Sequence, residues 1–157
     1  MRLKIETYGC MLSLAARCRS EDPFTQVGAV GLSETGKVIG VCYNGLSPKM
    51  EVPAWMHDPT KRDKKSRLFI HAEQNLLGMH RRGDIHTLCL NYSPCDACAA
   101  SIIAHGIKKV VYIWEYKAFT SKDIFDFHGV KISKLPLREL SKIKSFFQGQ
   151  IEKICQK

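Results

Sequence analysis

Apolar positions along this chain switch repeatedly between a helical period and short unbroken runs. Tyr8, Met11, Leu12, Leu14 and Ala15 recur at helical spacing, which predicts a first helix from about Glu6 to Cys18. Val27 to Gly31 and Val38 to Cys42 are short apolar runs around Ser33-Glu34-Thr35-Gly36, the pattern of a hairpin. From Asn44 to about Arg67 the periodicity stops, because Pro48, Pro53 and Pro59, Gly45 and many charges leave no apolar face. That stretch is expected to be a long functional loop or an insertion.

Regular alternation then resumes. Ala72 to Arg82 predicts a helix, Thr87 to Tyr92 a strand, Cys95 to His105 a helix and Lys109 to Trp114 a strand. A weaker helix around Ser121 to Phe127 and a short strand at Val130 to Leu135 follow. The last helix starts at about Pro136, and Leu137, Leu140, Ile143, Phe146, Phe147, Ile151 and Ile154 mark a core-facing stripe on it. Helices alternating with strands imply a layered α/β domain. The chain has neither an internal repeat nor a low-complexity tract.

Composition narrows the class of protein. The 157 residues fit one domain with a real core, at 45% hydrophobic and 25% charged. Arg2, Lys4 and Glu6 interrupt the opening, which argues against a signal peptide. No stretch approaches the roughly 20 apolar residues of a membrane span. Seven cysteines, an odd number with one close pair, argue for a metal and free thiols and make a reducing, cytoplasmic setting the default. The 24 Lys and Arg against 15 Asp and Glu give +9, which favours an anionic partner such as a nucleotide or nucleic acid. The tightest basic cluster, Lys61 to Arg67, contains Asp63 and is expected to be a solvated loop.

Two strings carry chemistry: His71-Ala72-Glu73 and Pro94-Cys95-Asp96-Ala97-Cys98. A catalytic zinc takes three protein ligands and leaves its fourth position to a water, whose pKa falls to about 7. His71, Cys95 and Cys98 supply three ligands, and Glu73 is an acid beside them free to carry a proton. Cys95 and Cys98 stand three apart at a predicted helix start, so both reach one ion. Pro94 suits that start, and a helix N-terminus favours the thiolate, which is the ligand form. A His-x-Glu triplet alone is common in a chain of this composition. The Pro-Cys-x-x-Cys string is rare, and both fall at predicted helix starts.

This H-x-E…P-C-x-x-C order is the zinc deaminase signature, and from about Tyr8 to Trp114 the chain resembles the deoxycytidylate (dCMP) deaminases of the cytidine and deoxycytidylate deaminase superfamily. Arg19 to Ala29 resembles the segment that precedes the first strand in that family, and Tyr43-Asn44-Gly45 resembles its Gly-Tyr-Asn-Gly turn. The resemblance implies a three-layer α/β/α fold with a five-stranded mixed sheet, its two zinc-bearing helices side by side. It also implies a Zn2+ cofactor and hydrolytic attack at C4 of cytosine, with Glu73 passing a proton from water to N3 and then to the leaving amine.

The same resemblance assigns substrate contacts. The backbone around Ala72 and Ser93 is implied to hold the pyrimidine edge, Asn44 to touch the sugar or phosphate, and Tyr116 to pack on the substrate. Arg19 has the geometry of a bidentate phosphate partner, and reads equally as a surface arginine at a helix end. A homo-oligomer, dimer or hexamer, is implied as well. Cys42 stands in place of the first Gly of the turn and Ser47-Pro48-Lys49 in place of the Pro-x-Gly after it, which puts regulation by dCTP and dTTP in doubt.

Several further residues carry two readings. Cys10, Cys18, Cys42, Cys89, Cys155, His57 and His80 are the sources available to a second, structural zinc, though none is paired at zinc-finger spacing and burial in the core is the plainer role. His105 before Gly106 is expected at a helix C-terminus. Trp55 and His57 either cover the active site or anchor their loop.

Three functions are consistent with these residues. The first is deamination of dCMP to dUMP and ammonia in deoxypyrimidine nucleotide metabolism. The second, favoured by the charge of +9, is a polynucleotide deaminase acting on tRNA adenosine or single-stranded DNA. Against it, Leu68-Phe69-Ile70 precedes His71 where tRNA-editing relatives carry Pro-Thr-Ala ahead of their His-Ala-Glu. The third, a non-enzymatic zinc-stabilised binding module, leaves Glu73 without a use.

Overall fold

In chain order the elements are α1 (Ile5–Arg17), β1 (Gly28–Leu32), β2 (Val38–Tyr43), α2 (Arg62–Ser66), α3 (Ala72–Leu77), β3 (Thr87–Tyr92), α4 (Asp96–Ala104), β4 (Lys109–Trp114), α5 (Lys122–Phe127), β5 (Lys131–Lys134) and α6 (Leu137–Cys155). The computed structural model describes residues 2–116 and 120–155, without the side chains of 153 and 154. The five strands form one mixed sheet in the order β2-β1-β3-β4-β5. β1 runs antiparallel to both β2 and β3, whereas β3, β4 and β5 are parallel.

Strand residues point alternately to opposite faces, and β3 and β4 are buried on both. Leu88, Leu90, Val110 and Tyr112 face one way, onto Leu76 of α3, Ile102 of α4 and Phe125 of α5. Cys89, Val111 and Ile113 face the other, with Cys10 of α1 and Ile143 of α6. The result is the three-layer α/β/α sandwich expected. α1 lies so close on β1 that a Cβ on Gly28 would stand 2.1 Å from the Ser13 carbonyl oxygen. Thr7 Oγ1 donates to Glu139 Oε2 at 2.8 Å, which joins α1 to α6 inside that layer. The hairpin turns where predicted, with Gly36 at φ 80 and its N–H donating to the Ser33 carbonyl at 3.0 Å.

Three expectations are corrected. α3 stops at Leu77 with Gly78 as its C-cap, short of Arg82. Beyond the cap the His80 ring sits between the Leu76 and Ile39 carbonyl oxygens, at 2.9 and 3.0 Å, so the segment is tied to β2 instead of continuing the helix. The stretch after Asn44 is not wholly irregular, for it holds two short 3-10 turns and α2. Its base is closed by a two-way backbone pairing of Gly45 with Ile70. On α6, Ile143 and Leu140 enter the core, but Leu137, Phe146, Phe147 and Ile151 are exposed. The side chain of Ile154 lies outside the described residues. Among the described residues no helix is long and apolar enough to cross a membrane.

Candidate active site and zinc centre

The two helices that carry the motif strings pack side by side, and their N-termini meet at the end of β3. His71 is the N-cap of α3 and Cys95 the N-cap of α4, each with extended backbone. Such caps project side chains past the helix start, where N–H groups have no intrahelical acceptor. His71 Nδ1 stands 3.2 Å from Cys98 Sγ and 3.5 Å from Cys95 Sγ. All three ligand atoms lie within 4.8 Å of one another. Zinc bonds of about 2.0 to 2.3 Å meeting at a tetrahedral angle separate ligand atoms by about 3.5 Å. The donor set therefore fits zinc in both identity and spacing.

The electrostatics agree. A hydrogen bond from the Cys98 thiol pulls Cys95 down to about 4 against the opposing effect of burial, with His71 adding to the pull. Cys98 is pushed up, first by its bond to Cys95 and then by burial. His71 is raised, chiefly by its hydrogen bond with Cys95. One thiolate is thus ready as a ligand, and binding a cation displaces the remaining protons. Burial pushes the Glu73 carboxyl up, and at 4% exposure this acid sits in the same recess as the ligands.

A cavity of about 130 Å³ opens over these residues. His71, Ala72, Glu73 and Cys95 line one end of it, and Tyr92, Ser93 and Tyr116 line it from beyond β3 and β4. Ala72 is fully buried as the first residue of α3. Ser93 donates its N–H to the Trp114 carbonyl at 2.8 Å, and its Oγ accepts the Tyr116 N–H at 2.8 Å. The Tyr116 ring meets that of Tyr92 edge-on, with centroids 6.5 Å apart.

Asn44 also lines the cavity, but its amide is engaged by its own surroundings. Oδ1 accepts from Ser20 Oγ at 2.6 Å and the Val27 N–H at 2.7 Å, while Nδ2 donates to the Thr25 carbonyl at 2.8 Å and to Asp22 Oδ2 at 3.4 Å. Arg19 stands outside this group. It is exposed, and its guanidinium lies over the Tyr43 ring, 6.0 Å from the centroid.

Charged residues that the sequence did not single out one by one also line the cavity: Arg62, Asp63 and Lys65 from α2, and Asp22 from the Arg19 to Thr25 segment that the resemblance puts near the phosphate. Lys65, in the run expected to be solvated, is 2% exposed and forms an ion pair with Asp22, which is 4% exposed. The Lys65 ammonium also lies over the rings of Phe24 and Phe69. Asp22 Oδ1 accepts the N–H groups of Phe24 and Thr25, so one carboxylate fixes both the segment after α1 and α2. Charge count along the chain cannot reveal a pair made 43 residues apart. Trp55 takes the Lys64 ammonium at 5.0 Å from its ring centroid, the role of a loop anchor. His105 caps the end of α4, as expected. Among the described residues no second cluster of three metal-binding side chains forms.

The family model for the cytidine and deoxycytidylate deaminase zinc-binding region matches residues 2–114. The chain belongs to this family. Among relatives of this deaminase, human deoxycytidylate deaminase is 30% identical over 149 residues, 88% of this chain and 83% of that protein. An uncharacterized deaminase of Aliivibrio fischeri is 33% identical over 129 residues, 75% of this chain and 84% of its own length. Of solved structures, apo dCMP deaminase from cyanophage S-TIM5 superposes with a TM-score of 0.67 at 23% identity, covering 86% of this chain and all of that one. A tRNA:A34 deaminase superposes at 0.57 with 20% identity, over 84% of this chain and all of its own. Deaminases of a nucleotide and of a tRNA share the fold, so the fold does not choose the substrate.

Proposed function

We propose that this chain catalyses the zinc-dependent hydrolytic deamination of dCMP to dUMP and ammonia, as part of deoxypyrimidine nucleotide metabolism. One observation carries the reading: a buried acid that is not a ligand, Glu73, shares a recess with a His-Cys-Cys donor set, and that recess opens into a cavity. A structural zinc site would close with a fourth ligand and need no such acid.

His71, Cys95 and Cys98 would hold the metal. When bound, zinc supplies a water acidic enough to attack a ring carbon at neutral pH. Glu73 takes the proton released from that water, gives it to N3 of the cytosine, and then carries a proton to the departing amine. Its burial suits this work, since a carboxyl raised from its ordinary range accepts and gives protons closer to neutral pH. The backbone at Ala72 and Ser93 holds the pyrimidine edge, and Tyr116 packs beside it against Tyr92. Asn44 shapes the sugar end through the loop it braces. The sequence also marked Arg19 for the phosphate. A homo-oligomer belongs to the same proposal, because α6 leaves Leu137, Phe146, Phe147 and Ile151 uncovered.

The substrate is supported by relatives that carry the name deoxycytidylate deaminase over most of their length. Ammonia release from the purified, zinc-loaded chain, offered dCMP, dCTP, cytidine and a single-stranded oligonucleotide in parallel, tests it. Preference for dCMP is expected, and preference for the oligonucleotide overturns it.

A further inference from the structure

The α2 side of the cavity contains two cations of different standing. Lys65 is buried and its charge is taken up by Asp22. Arg62, also on the lining, has no carboxylate partner among the described residues. Its Nη2 donates to Thr25 Oγ1 at 2.9 Å, and its guanidinium lies 5.4 Å from the centroid of Phe24. A guanidinium carries five N–H donors in a fixed fork, so most remain for a guest while the ring and the threonine hold the fork in place.

The scaffold beneath it is built, not loose. Thr25 and Phe24, the two residues that hold Arg62, are themselves fixed by backbone bonds to Asp22, whose other oxygen anchors Lys65 one turn further along α2. A preorganised arginine with open donors, beside a pocket whose other end holds the His71, Cys95 and Glu73 side chains, is what recognition of a planar or tetrahedral oxyanion requires. Asp63 also lines the cavity and has the opposite charge. With Lys65 neutralised by Asp22, Arg62 is the remaining cation among the described Arg and Lys residues that line the cavity. That suits a single phosphate better than the backbone of a polynucleotide, which is held by several charges at once.

We infer that Arg62 is the specificity-determining residue for the phosphate of the nucleotide, with Asp22 and Lys65 as its positioning pair. The assignment rests on the reading of the substrate as dCMP. Its test compares the zinc-loaded wild type with Arg62→Gln and Arg62→Lys, using dUMP binding by calorimetry and steady-state kinetics on dCMP and deoxycytidine. For Arg62→Gln, dUMP affinity is expected to fall roughly 10- to 100-fold, the scale of a lost charge-assisted hydrogen bond. KM for dCMP rises with little change in kcat, since uniform binding is what is lost. Deoxycytidine, which lacks the phosphate, is turned over as by the wild type, and Arg62→Lys recovers part of the dUMP affinity.

Unchanged dUMP binding by Arg62→Gln, or equal losses on dCMP and deoxycytidine, overturns the assignment while leaving dCMP as substrate. A wild type that prefers a single-stranded oligonucleotide to dCMP overturns the substrate reading and this assignment together.

Discussion

The two ends of the cavity are built by different rules. At the end with the His-Cys-Cys donor set, His71, Glu73, Cys95 and Cys98 come from two short strings, and each string is placed by the start of one helix. At the α2 end, Asp22, Asn44 and Lys65 come from three distant segments, and what places them is mutual bonding among buried polar groups. A helix start is a local device that survives changes elsewhere. A network of buried charges is cooperative, since removing one member strands another.

The contrast is broken most sharply at Glu73. Glu73→Gln is expected to lower deamination by roughly 10²- to 10⁴-fold, the range for a lost proton carrier, with zinc content per chain unchanged by elemental analysis. An active Glu73→Gln protein would sink the proposed mechanism, and a zinc-free one would show that the acid holds the site together.

At the other end the expected cost is in stability. Asp22→Asn leaves the Lys65 charge buried without its partner, which costs about 3–5 kcal/mol in denaturant unfolding. The double change Asp22→Asn with Lys65→Met is expected to recover much of that loss. If the double variant is no more stable than the single one, the pair is not the cooperative unit described.

A smaller effect calibrates both ends. Glu6 Oε1 lies 2.6 Å from Lys109 Nζ, joining α1 to β4 away from the cavity, with both side chains about a third exposed. The hydrogen bond from Lys109 holds the Glu6 carboxyl below its usual 4.5, with burial opposing. A depressed folded pKa contributes stability above the unfolded value and loses it as pH falls. Glu6→Gln is therefore expected to cost under about 1 kcal/mol at neutral pH. That cost should shrink as pH falls from the unfolded value of 4.5 through the lower folded one. A pH-independent difference between the two thermal unfolding curves would refute the pairing.

Legibility in the sequence follows the same division. The helix and strand pattern was readable because apolar period is local, as was the Cys95 and Cys98 pair, because residues three apart at a helix start are close whatever surrounds them; that His71 joins them is the work of α3 packing beside α4. The end of α3 was less readable: Met79 to Arg82 continue a helical composition, but Gly78 caps the helix and the His80 ring is held between the Leu76 and Ile39 carbonyls. The stripe on α6 marked an apolar face without saying how much of it meets the sheet, and Leu140 and Ile143 alone among its described side chains reach the core. Lys65 looked like one lysine in a solvated run until Asp22 was found against it.

By itself the sequence determined the alternation of helices and strands, and it marked His71, Cys95 and Cys98 as candidate zinc ligands with the acid Glu73 beside them. The elements and each motif string are written within a few residues, whereas the meeting of His71 with Cys95 and Cys98 needs α3 packed beside α4. Only the tertiary structure decided which charges face the cavity. Arg19 and Arg62 are both basic residues close to the ends of helices, yet one lies over Tyr43 and the other lines the pocket. What separates them is the company each keeps across the fold, and the order of residues along a chain does not hold that information.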